Sequence, residues 1–264
     1  MIEDSLRPLY DCLKYLGFGT VLNTTLRECI EHGLPKFKLK LSMNIPAEYG
    51  DNRPELADAV HYELYFLKNK EEQRYLLDRY RATLMPDNVV SLISHVFPVK
   101  NGIGITGKES FNLLSGRAVN KLVVFKNNER ERVWLKLGLR EWDPDKGFNV
   151  KYYGDKHGFN LSNVIDKFEI LGIETAGSRN QFIRSLEQGN LHAVSFVKSG
   201  KEANGFVTAN PQYKTLDFYD RDLSKVYRRA VDRRESLVAD ETNNEREVGG
   251  GQGPVIEGGK GIRR

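Results

Sequence analysis

Cysteine is scarce: Cys12 and Cys29 are the only two in 264 residues, and neither stands in a CxxC or Cys/His pattern. That excludes a disulfide framework and a structural zinc site, and both thiols read as reduced and buried in helix-like segments. No apolar run approaches the roughly 20 residues that a bilayer-spanning helix needs, so no membrane association is expected. The first residues, MIEDSLRPLY, lack the basic-then-apolar order of a signal peptide, and the expectation is a cytoplasmic protein. Charge of one sign is not in excess either. The balance of 40 Lys and Arg against 36 Asp and Glu leaves +4, so a polyanionic partner has to be argued from local clustering. At 39% hydrophobic and 29% charged, the composition is that of an ordinary globular chain with one or two cores.

Catalytic patterns are missing as well. His32, His61, His95, His157 and His192 are scattered without metal-ligand spacing, and none neighbours a Ser or Cys in a nucleophile context. Glu71 with Glu72 and Asp143 with Asp145 fall in turn-like polar stretches where solvated charge is the ordinary reading. Asp143, Asp145 and Gly147 resemble the start of a calcium loop, but the later ligands and the closing Glu are absent. Residues 102–108, Gly-Ile-Gly-Ile-Thr-Gly-Lys, match the opening of a phosphate-binding loop. The next position holds Glu109 where that loop needs a magnesium-binding hydroxyl, and a helix-capping box of Thr106 with Glu109 explains both residues. No cofactor and no small-molecule substrate are expected, and the chain reads as non-enzymatic. A hydrolase built on an unrecognised carboxylate pair is the weaker contrary reading.

What is present is a capping signal that recurs: Thr25 with Glu28, Thr106 with Glu109, and Ser178 with Gln181, closed by Gly33, Gly116 and Gly189 respectively. Each is followed by alternating strands. Phe37, Leu39, Leu41, Met43 and Ile45 alternate with Lys36, Lys38, Lys40, Ser42 and Asn44, and Val60, Tyr62, Leu64 and Phe66 repeat the pattern. The expected fold is α+β: three repeated units of a short helix followed by an antiparallel β-meander, with an N-terminal helix and a disordered C-terminal tail. The units span 23–105, 106–177 with an extra helix near Leu161 to Phe168, and 178–221. They are preceded by the helix in 1–22 and followed by a basic helix and Gly-rich tail in 222–264. That last stretch has no aromatic residue after Tyr227.

Two basic features stand out as nucleic-acid candidates. Lys36, Lys38 and Lys40 project from one strand face at about 6–7 Å spacing, near the phosphate repeat of one strand, although lysines also guard edge strands. Arg221, Lys225, Arg228, Arg229, Arg233 and Arg234 form a helix-compatible run opposite Leu223, Val226, Ala230 and Leu237, within which Arg228, Arg229, Arg233 and Arg234 are the proposed contacts.

The segments GITGKESFNLLSGRAVNKL and SLEQGNLHAVSFVKSGKEANGFVTANPQYKTLDFYD, above all FNLLSGRAVNK and ANPQYKT, resemble a Bacteroidetes protein family of unknown function, over nearly the whole span from Lys14 to Asp220. Members often sit among plasmid or conjugative-element genes, and related units are fused to DNA-processing enzymes. The resemblance implies an accessory protein of a mobile genetic element that binds DNA or a DNA-processing partner, with no catalytic residue to carry over. The alternative is a protein–protein interaction module without nucleic-acid contact.

Overall fold

In the computed structural model the described residues are 2–46, 48–49, 57–69, 71, 74–85, 92–125, 129–143, 147–226 and 231. The period-2 segments form the first sheet, in which β1 (Lys36–Pro46), β3 (Ala57–Lys68), β4 (Tyr75–Met85), β5 (Ile93–Lys100) and the short β6 (Ile103–Gly104) lie side by side in that order, all antiparallel. Its inner face carries Leu39, Ile45, Val60, Tyr62, Leu64, Phe66, Leu77, Tyr80, Phe97 and Val99, all buried. Against it pack α1 (Ile2–Tyr15), α2 (Asn23–Glu31) and α3 (Gly107–Leu114). Leu6, Leu9, Leu13 and Leu16 recur at helical spacing and are buried, which supplies the tertiary packing that short helices require.

The second sheet is the meander β7 (Val119–Val124), β8 (Arg130–Asp143) and β9 (Gly147–Tyr153). Its residues contribute to two cores. Val119, Val133, Leu135 and Leu137 belong to the first core, whereas Trp134 belongs to a second core with α4 (Leu161–Ile165), α5 (Ala176–Glu187) and the third sheet. That sheet runs β10 (Ile170–Leu171), β11 (Leu191–Lys198), β12 (Lys201–Asn210), β13 (Thr215–Tyr219) and β14 (Lys225–Val226), and β2 (Glu48–Tyr49) pairs with β11.

The α+β class and the antiparallel pairing of the long strands are as read from sequence, while the three sheets differ in strand number. Several details differ. The β2–β11 pairing is parallel, because a two-residue strand from the first segment fills the open edge of β11. Thr25 caps nothing: α2 starts at Asn23 after Leu22 with no side-chain cap, and its place is set by the buried Leu22, Leu26 and Ile30. Thr175, not Ser178, caps α5, because its hydroxyl accepts from Ser178 N–H at 3.1 Å and starts the helix a turn earlier. The helix expected from Arg221 onward is absent over its described part, where Asp220 carboxylate oxygen accepts the N–H groups of Asp222 and Ser224. Lys225 and Val226 then pair with Tyr219 and Phe218, and Leu223 at φ +60° is left partly exposed. The expected tail lies outside the described residues.

Only the middle capping box forms as read. Thr106 Oγ1 accepts Glu109 N–H at 3.2 Å, and Glu109 Oε2 accepts Thr106 N–H at 2.8 Å and Lys121 Nζ at 2.8 Å. Thr106→Ala is expected to lower the unfolding free energy by about 1 kcal/mol, while Thr25→Ala, exposed within a helix, causes no loss. Urea denaturation of the two variants checks the contrast.

Candidate nucleic-acid interface

Because side chains alternate along a strand, burying Tyr62, Leu64 and Phe66 turns His61, Glu63, Tyr65 and Leu67 outward. The same phase on β1 turns Lys36, Lys38, Lys40 and Ser42 outward. On β4 the phase changes at a bulge. Tyr65 pairs with Arg79 and Phe66 with Leu77, so Asp78 is the extra residue, Arg79 and Arg81 face outward, and Tyr80 returns to the core. Without that bulge Arg79 would point inward and Tyr80 out.

The register sets these residues in rows across the sheet. One row reads Lys38, Tyr65, Arg79, Pro98; the next reads Lys40, Glu63, Arg81, Val96; the third reads Ser42, His61, Thr83, Ser94. Lys36 stands beside Leu67 at the end of the face. Lys36, Lys38, Lys40, Arg79 and Arg81 thus surround Tyr65 with Glu63 as the one carboxylate in the three rows, and Asp78 paired to Arg79 at the bulge.

Glu63 organises this face. It accepts from Lys38 Nζ at 2.9 Å and from Tyr65 Oη at 2.8 Å, and Lys40 Nζ lies 3.3 Å away. Those donors, Lys38 first, hold its carboxyl down at about 2 against the ordinary 4.5. Lys38 Nζ and Arg79 Cζ sit 5.7 and 5.3 Å from the Tyr65 ring centroid, in cation–π range. Lys38 and Lys40 therefore share their charge with Glu63, yet Lys40 keeps 69% of its side chain exposed and Arg79 53%.

Edge protection accounts for the lysines, since β1 is the edge strand. It does not account for the arginines, because β4 is paired on both sides. Arg79, Arg81 and Tyr65 are the residues that sequence reading missed. The alternation Arg79-Tyr80-Arg81 was visible, but only the register brings it beside the lysines. Arg228, Arg229, Arg233 and Arg234 lie outside the described residues, and the described Lys225 is ion-paired with Asp217 at 2.9 Å.

Two other places have the composition of a site and a different job. At residues 102–108, Thr106 N–H is taken by Glu109, and Gly107 N–H donates to Leu16 O at 2.8 Å. Lys108 Nζ donates to the Pro46 carbonyl, so these donors are engaged by the capping box and by neighbouring segments of the chain. A Cβ at Gly107 would meet Phe18 at 3.3 Å, which explains that glycine by packing. On α5, Ser185 Oγ lies 2.8 Å from His192 Nδ1, a pair invisible in the sequence. Burial lowers the His192 pKa to about 4, too weak a base to activate a hydroxyl near neutrality, and Ser185 Oγ also accepts from Asn190 Nδ2 at 3.2 Å. The pair belongs to a buried network in which Asn112 Nδ2 donates to Gln188 O and Asn190 Oδ1. Among the described residues no three His, Cys, Asp or Glu side chains are grouped for a metal ion.

The depressed Glu63 carboxyl contributes stability that is present above its ordinary 4.5 and lost as the pH falls through about 2. Glu63→Gln is expected to lower stability at pH 7 by at most about 1 kcal/mol. The difference from the native protein should shrink toward zero near pH 2, read from denaturation midpoints at the two pH values. Comparison of the chain with family models, with curated proteins and with solved structures finds no match.

Proposed function

We propose that the protein is a non-enzymatic accessory protein that binds nucleic acid through the outward face of its first sheet. The observation that carries this reading is the placement of Arg79 and Arg81, on an interior strand, in register with Lys38 and Lys40 on the edge strand. Neither core packing nor edge protection calls for cations there, whereas a phosphate backbone does. The likeness to a family encoded among plasmid and conjugative-element genes supports DNA as the polyanion and a mobile element as the setting. A repeated helix-plus-meander unit, with the third copy capped at Thr175, remains part of the same reading.

The second reading is a protein-interaction module. It is favoured by Leu122 and Val124, which are 57% and 52% exposed on β7, a strand at the edge of its sheet.

Titration of a labelled oligonucleotide at several salt concentrations decides between them. Phosphate contacts release counterions, so log affinity should fall linearly with log salt. Arg79→Ala with Arg81→Ala should reduce the slope by about 1.5 units, at about 0.7 to 0.9 per lost contact. Affinity weaker than about 10⁻⁴ M at physiological salt, or an unchanged slope, would leave the interaction module as the better account. A slope that changes only when Arg228, Arg229, Arg233 and Arg234 become Ala would move the contact to that run.

A further inference from the structure

We infer that the occupant of this face is single-stranded nucleic acid, with one base stacked on Tyr65 and the flanking phosphates held by Lys38 and Lys40 on one side and Arg79 and Arg81 on the other. The inference rests on the nucleic-acid reading above and adds the form of the strand.

The width of the face favours a single strand. The rows run over four strands, so at about 4.8 Å per strand the face is about 14 Å wide before side chains are added. The major groove of a duplex is about 12 Å wide and admits a helix or a two-stranded ribbon. A four-stranded face therefore meets a duplex only at its phosphates, and an aromatic ring at its centre has no base to contact. A single strand laid over the sheet has no such restriction, because its bases can turn down onto the ring while its phosphates follow the cations.

The state of Tyr65 favours it as well. Its hydroxyl is fixed on Glu63, two residues back on the same strand, which leans the side chain along β3. Its row neighbours are the cations Lys38 and Arg79. A base that takes up the ring face exchanges cation–π contact for stacking, and the displaced ammonium or guanidinium is already within reach of the adjoining phosphate. Glu63 holds the ring and Lys38 in place before the strand arrives, so less ordering is required on binding. Leu67, Val96 and Pro98 extend the same face with apolar surface against which neighbouring bases can rest.

The test uses the full chain and fluorescence anisotropy with oligothymidylate and oligouridylate of about 20 nucleotides, a mixed-sequence single strand of that length, and the same sequence as a duplex, a length that covers the site sizes of known single-strand grooves. The mixed single strand should bind at least about 10-fold tighter than its duplex. Tyr65→Leu, which keeps apolar bulk on a half-buried outward position, should weaken single-strand binding by about 5- to 150-fold and leave duplex binding unchanged. Tyr65→Phe should retain most of the single-strand affinity. The thymidylate and uridylate arms tell DNA from RNA as the source of the strand. Equal affinity for single strand and duplex, or Leu behaving as Phe does, overturns the inference. In that case the charge-driven reading still stands if Arg79→Ala with Arg81→Ala weakens both forms. Absence of binding to every oligonucleotide overturns both.

Discussion

The start of α3 is the joint on which the rest of the fold is assembled. Its capping box satisfies Thr106 and Glu109 N–H internally, and the hydroxyls of Tyr62 and Tyr80, both buried in the first sheet, donate to the carbonyls of Gly107 and Ile105 at 2.9 and 2.7 Å. Leu16 at the end of the first helical segment accepts Gly107 N–H, and Lys121 on β7 closes on Glu109. Nearly all of α3 is buried, so leaving any of these polar groups unpaired would cost about 1–3 kcal/mol. From the other side of the helix, Asn112 donates to the Gln188 carbonyl and accepts from Arg117 Nη2 at 2.7 Å, which ties the first core to the loop after α5. Gly189 makes that approach feasible: at φ +79° its missing Cβ would stand 2.7 Å from the Ala118 carbonyl.

Seating α3 on Tyr62 and Tyr80 also decides which way the first sheet faces. Phe18 packs edge-on against both rings at 5.1 and 5.2 Å, and the inner positions of β1, β3, β4 and β5 follow them into the core. Everything one residue out of phase is turned away from the core. The basic and aromatic surface is thus the complement of the core pattern, corrected at one point by the Asp78 bulge so that Tyr80 can reach Ile105 and Arg79 can stand beside Tyr65. Interior packing and the candidate site share one constraint, the phase of β3 and β4.

Much of this was legible in the sequence where the physics is local. The alternation of β1 and β3, the glycine after each short helix and the Thr106–Glu109 box depend on neighbours within a few residues. The departures depend on distant partners. Thr25 has the composition of a cap, but the buried Leu22 and Leu26 place α2 a little earlier; Thr175 and Ser178 are both competent caps, and the earlier one wins by extending the helix. The apolar side of the expected C-terminal helix, Leu223 and Val226, is instead divided between a turn and an edge strand by the Asp220 carboxylate and the pairing to Phe218. For the site, Lys36, Lys38 and Lys40 were readable from one strand. Tyr65, Arg79 and Arg81 were not, because their meaning comes from cross-strand register and from a bulge with no sequence signature. The Ser185–His192 pair could not be foreseen either, and its burial shows why contact between such groups is not by itself a catalytic sign.

The most direct measurement of the central claim is a map of amide and aromatic chemical-shift changes on titration with a single-stranded oligonucleotide. Changes are expected on the outward residues of β1, β3 and β4, with the Tyr65 ring protons moved most, and the buried α3 and the α5 network left in place. Changes confined to β7, α5 or the residues beyond Val226, with the Tyr65 ring unmoved, would contradict it.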